Sequence, residues 1–88
     1  MYSPDAIREL IETGLPDASV EVMGDDGTHF AARVISASFE GQPLVRQHQA
    51  VMNALKDQFD TDRLHALQLK TFTPDRWQQN KHLYPING

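Results

Sequence analysis

"LVRQHQAVMNALKDQF", residues 44–59, is the most regular amphipathic stretch of the chain. Leu44, His48, Val51, Met52, Leu55 and Phe59 recur at spacings of three and four, the repeat of one helix face. What flanks this helix decides the fold. Upstream, "EGQP" breaks the pattern, and "HFAARVISASF" before it reads as a strand with Phe30, Ala32 and Val34 in phase. "ASVEVM" alternates in the same way, with Val20 and Val22 on one side, and "GDDGT" between the two segments is a turn. So short a connection makes an antiparallel hairpin. Downstream, "DTDRL" ends the helix and "HALQLKTF" reads as a third strand, with Leu67 and Leu69 in phase with His65. A strand that follows a helical crossover can run parallel to one of the others, which a tight turn forbids.

The ends repeat one grammar. In "SPDAIRELIETGLP", Ser3 caps, Pro4 suits the first helical position and Asp5 favours the positive end. Ile7, Leu10 and Ile11 share a face, Gly14 stops the helix and Pro16 forbids its resumption. In "TPDRWQQNKH", Thr73, Pro74 and Asp75 play the same parts and Trp77 anchors the helix. The order is therefore helix, strand, strand, helix, strand, helix. This is an α+β arrangement, a small three-stranded mixed sheet with helices covering one face. Residues 1–80 form one domain, and residues 81–88 are a C-terminal tail.

Size and charge narrow the functions. A chain of 88 residues builds one modest core and has little room for a deep private pocket. It has no cysteine, so it can supply no thiolate, which fits a reducing cytoplasm. The beginning has no basic region ahead of an apolar run, and no stretch approaches a membrane span. A net charge of -4 opposes strong non-specific binding to nucleic acid, although a local basic patch can still form.

There is no nucleophile elbow, no P-loop and no histidine pair at helical metal spacing, so an enzyme is a poor fit. Asp25 and Asp26 are turn formers, and "DDG" is too short for a calcium loop. "GDDG" has the Gly-x-x-Gly of KH domains, but it joins strands and carries two charges that repel phosphate. Of the four histidines, His48 lies in the apolar register of the long helix and reads as a core histidine. His82 sits near the end of the chain. His29 and His65 each begin a strand. If the fold brings those ends together, two imidazoles face one surface. Two are too few for a closed zinc site, and imidazole suits zinc, copper, iron or nickel alike. Such a half-set makes sense where another molecule completes it. A [2Fe–2S] cluster with two histidines on one iron and thiolates on the other is one such case.

"GDDGTHFAARVISASFEGQPLVRQHQAVMNAL" with "LHALQLKTFTPDRW" resembles the BolA family, in particular its IbaG-like bacterial branch. The likeness runs from about residue 4 to residue 80. "FEGQPLVRQHQAV" is similar to the family block F-x-G-x-x-x-V-x-R/Q-H-x-x-V, and "HALQLKTFTPDRW" to its closing strand and helix. The resemblance implies a fold related to class II KH domains. It also implies a non-enzymatic cytoplasmic partner of monothiol glutaredoxins, monomeric alone and heterodimeric with its partner. The heterodimer would share a [2Fe–2S] cluster. The family's signature histidine maps onto His65. The second ligand, Cys or His in the loop between the first two strands, matches His29, which makes this a histidine-type member. The glutaredoxin cysteine and glutathione would supply the thiolates. The family is also described as transcriptional regulators in stress. By that analogy Leu44 to Arg63 would face DNA, with Arg46, Lys56, Arg63 and Lys70 as the basic candidates. Gln47 and Gln49 are neutral where the family is often basic, and Asp57, Asp60 and Asp62 dilute the surface.

Overall fold

The computed structural model describes residues 3–24, 29–56 and 67–83. Helix α1 (Pro4–Gly14) starts as its sequence demands: Ser3 is in extended conformation and its hydroxyl accepts from the Ala6 N–H. Strands β1 (Ser19–Met23) and β2 (Phe30–Ile35) pair antiparallel, with Val20 opposite Val34 and Val22 opposite Ala32. Helix α2 (Leu44–Leu55) is the crossover. Strand β3 (Leu67–Phe72) then pairs parallel with β2, from Phe30 with Leu67 to Ile35 with Phe72. The sheet order is β1-β2-β3, so β2 is central. Helix α3 (Pro74–Asn80), capped by Thr73, follows at once, and Lys81–Leu83 add a 3₁₀ turn. Among the described residues, three α-helices and a mixed three-stranded sheet in the order α-β-β-α-β-α make the α+β fold that the patterning implies.

Alternation sorts the sheet into two faces. Val20, Phe30, Ala32, Val34, Leu67 and Thr71 are buried, and all point toward the helices. Ile7 and Ile11 from α1, and Val51 and Leu55 from α2, meet them, each with no exposed surface. The two helices approach closely: a Cβ on Gly14 would lie 2.6 Å from that of Ala54. Burying each such aliphatic side chain is worth about 1.5–3 kcal/mol, which makes this layer the main source of stability.

Two local expectations are corrected. The second strand does not run to Phe39 but ends at Ile35, and Ala37–Phe39 form a 3₁₀ turn. The cause is Ser36, whose buried hydroxyl accepts from the Ser38 N–H and donates to Asp17 Oδ2 at 2.7 Å. A serine that bonds locally offers the backbone an alternative to the ladder. The turn tucks Phe39 into the core. Helix α2 is also rotated from the expected face. Its buried line is Gln47, Val51 and Leu55, while Leu44 is 62% exposed and Phe59 lies outside the described residues. Gln47 can occupy a core position because both ends of its amide are satisfied. Its Nε2 donates to the Gln42 carbonyl at 2.8 Å, and its Oε1 accepts from the Thr71 hydroxyl at 2.7 Å. Gly41, at φ 75°, makes the turn that precedes this helix.

The second sheet face carries Glu21, Ala31, Arg33, Ile35, Lys70 and Phe72. Trp77 of α3 reaches it: the Arg33 guanidinium carbon lies 4.3 Å from the indole centroid, and the Phe72 ring is 5.3 Å away. Arg33 Nε is buried with no hydrogen-bond partner among the described residues. The cation–π contact offsets part of that cost.

Candidate metal centre at the end of the sheet

The parallel pairing fixes the geometry of the site. Phe30 and Leu67 are register partners at the start of β2 and β3, so both strands begin at one end of the sheet. His29 is the residue just before Phe30 and is exposed, while Phe30 behind it is only 2% exposed. The buried phenyl ring anchors the strand, and the next residue out carries the imidazole. An open groove of about 610 Å³ lies beside it, lined by Pro4, Val22, Met23, His29, Ala31 and Gln68. Its walls are largely apolar, and Met23 is 48% exposed.

His65 stands two positions before Leu67 in the sequence and lies outside the described residues, as do Asp25, Asp26 and Arg63. Among the described residues no three His, Cys, Asp or Glu side chains come together as a metal site. His29 thus contributes one donor, and any metal it binds needs others. Imidazole nitrogen suits iron, and with no cysteine in the chain any thiolate must come from outside. This donor chemistry fits one histidine-ligated iron of a cluster completed by a partner.

The basic candidates among the described residues, Arg46, Lys56 and Lys70, are divided between α2 with its C-cap and β3. Arg46 and Lys56 are exposed near the two ends of α2, about 15 Å apart along the axis at a rise of ~1.5 Å per residue. Lys70 is exposed on the sheet face away from the core. His48 is half-buried beside a second groove of about 630 Å³, with Gln47, Leu69, Lys70 and Arg76 among its walls. No helix among the described residues is long and apolar enough to cross a membrane.

Two features were missed from the sequence. Gln47 looks like a neutral surface position in the sequence, although its spacing of four from Val51 and eight from Leu55 puts it on their line. The Arg33–Trp77 contact had no such signal, because it joins a strand to a helix far along the chain.

A family model described as BolA-like protein matches residues 12–76. The acid stress protein IbaG of Escherichia coli K12 is 30% identical over 77 residues, covering 88% of this chain and 90% of that protein. A solved structure of a BolA homologue from Coxiella burnetii has 43% identity and a TM-score of 0.76, covering 89% of this chain and 99% of that one. The BolA domain of SufE1 from Arabidopsis thaliana has 34% identity and a TM-score of 0.66, covering 85% and 96%.

Proposed function

Because the chain belongs to the BolA-like family, we propose that it is a non-enzymatic cytoplasmic adaptor that partners a monothiol glutaredoxin and shares a [2Fe–2S] cluster with it. His29 and His65 are its ligands, and the partner's cysteine and glutathione bring the thiolates. The observation that carries this reading is the parallel register. Phe30, directly after His29, pairs with Leu67, two positions after His65, so the two strands that these histidines precede start together. The cluster, when bound, supplies sensitivity to iron and redox state. The chain's own work is to hold the His29 imidazole at an exposed sheet end and to offer an apolar groove beside it. The name of the Escherichia coli relative, an acid stress protein, agrees with a role in stress regulation.

The test is visible absorption and circular dichroism on mixing the protein with cluster-loaded monothiol glutaredoxin. Wild type should give a new spectrum that is altered in both His29→Ala and His65→Ala. No spectral change on mixing with folded wild type sinks the proposal. Salt-sensitive DNA binding that persists in both variants would then favour a regulator acting through Arg46, Lys56, Arg63 and Lys70.

A further inference from the structure

We propose that Gly24 is the positioning residue for His29, which deepens the ligand reading of His29 and rests on it. Gly24 follows the last residue of β1, and His29 precedes the first residue of β2. Continued one step beyond the Met23–Ala31 pair, the register sets Gly24 opposite Phe30 at the neck of the hairpin, with His29 the next residue out. A Cβ on Gly24 would lie 2.8 Å from the His29 carbonyl oxygen and 2.6 Å from Phe30 Cδ1, with Cε1 at 3.1 Å. Contacts under 3.0 Å force a neighbour to shift. The phenyl ring has nowhere to go, because Phe30 is 2% exposed and paired with Leu67. The backbone at His29 must then give way.

Space is what excludes a side chain at position 24. Among the described residues the one glycine in the left-handed region is Gly41, where a Cβ would meet nothing within 4 Å. The absent Cβ of Gly24 lets the end of β1 press against the peptide that carries the imidazole, and this fixes where His29 leaves the sheet. The same neck borders the groove beside His29, whose lining includes Gly24, Met23 and Phe30.

The experiment compares wild type, Gly24→Ala, Gly14→Ala and His29→Ala. Gly14→Ala introduces an equally short contact, 2.6 Å to Ala54 Cβ, at the α1–α2 crossing, and controls for general loosening. Two readouts are taken. One is the NMR chemical shifts of the His29 imidazole in the protein alone. The other is the visible dichroism after mixing with cluster-loaded monothiol glutaredoxin. Gly24→Ala should move the His29 ring signals and change the mixed spectrum in the direction of His29→Ala, and Gly14→Ala should do neither. A folded Gly24→Ala with wild-type His29 signals overturns the proposal, as does an equal effect from Gly14→Ala. If Gly24→Ala does not fold, Gly24→Ala with Phe30→Leu replaces the rigid ring by a smaller side chain that can rotate away, and keeps the contact to the His29 carbonyl. Unmoved His29 signals in that variant are equally fatal. The ligand reading fails separately, by a mixed spectrum that His29→Ala leaves unchanged.

Discussion

Gln47 and Thr71 should behave as one unit in a double-mutant cycle. Both are nearly buried, at 7% and 6% exposure, and the Thr71 hydroxyl donates to Gln47 Oε1 at 2.7 Å. Gln47→Met keeps an unbranched side chain of similar length but leaves the Thr71 hydroxyl without its acceptor. A buried polar group stranded in this way costs about 1–3 kcal/mol. The Gln42 carbonyl released at the same time belongs to an exposed residue and turns to water, so it adds little. Thr71→Val strands Gln47 Oε1 instead, at a comparable cost. The double variant strands neither group, since methionine and valine can pack against each other. Each single change should therefore cost about 2 kcal/mol and the pair only about 1, the net worth of the lost hydrogen bond, rather than about 4, a coupling of ~3 kcal/mol. In a domain of this size, 2 kcal/mol lowers the melting temperature by roughly 10 °C. Urea unfolding followed by far-ultraviolet dichroism measures all four proteins, with equal m-values as the check that only stability changed. A double variant that loses the full sum would refute the pairing. Single variants with no loss would show that water satisfies both groups.

Acid should weaken the link between Asp17 and the 3₁₀ turn. The Ser36 hydroxyl, assisted by backbone N–H groups, holds the Asp17 carboxyl below its ordinary value of 3.8, against the opposing effect of burial. A folded pKa below the unfolded one means that the unfolded chain binds more protons. This stabilisation is therefore complete above the ordinary value and fades as pH falls through the folded one. Asp17→Asn should flatten the wild-type fall in urea midpoint as pH drops below about 4, and superimposable pH profiles would remove Asp17 from the account. Val51→Ala deletes two fully buried methyl groups where α2 meets the sheet and should cost about 2–3 kcal/mol in the same urea assay. A loss under about 1 kcal/mol would mean that the core closes over the gap. Trp77 is the sole tryptophan, so its fluorescence reports on α3. Arg33→Leu, which removes the cation under the indole, should shift that emission in the folded state, and an unchanged spectrum would place the ring elsewhere.

Much of the architecture can be read along the chain because its signals are local. Ser3 with Pro4 and Thr73 with Pro74 announce their helices, and Val20, Phe30, Ala32 and Val34 carry the period of two that the sheet uses. What escapes is decided across the chain. Ser36 ends β2 early through its bond to Asp17, nineteen positions away. Gln47 looks like a surface residue until Thr71 and the Gln42 carbonyl supply its partners. The site divides in the same way. His29 is conspicuous at the end of a turn, but its link to the third strand depends on the direction and register of β3, which periodicity does not encode. Gly24 is one of several glycines by sequence, and only the approach of the Phe30 ring and the His29 carbonyl sets it apart.

The parallel pairing of Phe30 with Leu67 joins positions 37 apart in the chain, the longest-range strand pairing in this sheet. The β1–β2 hairpin closes a short loop, whereas pairing β3 with β2 closes a loop that contains α2 and costs more chain entropy. The sheet end at His29 therefore exists only once this long-range pairing is made, and a chain with the hairpin alone has no partner strand beside it. A molecule that grips the segments entering both β2 and β3 selects finished copies of the protein. In binding them it also clamps the strand joint that spans the most chain, and raises the stability of the whole by mass action.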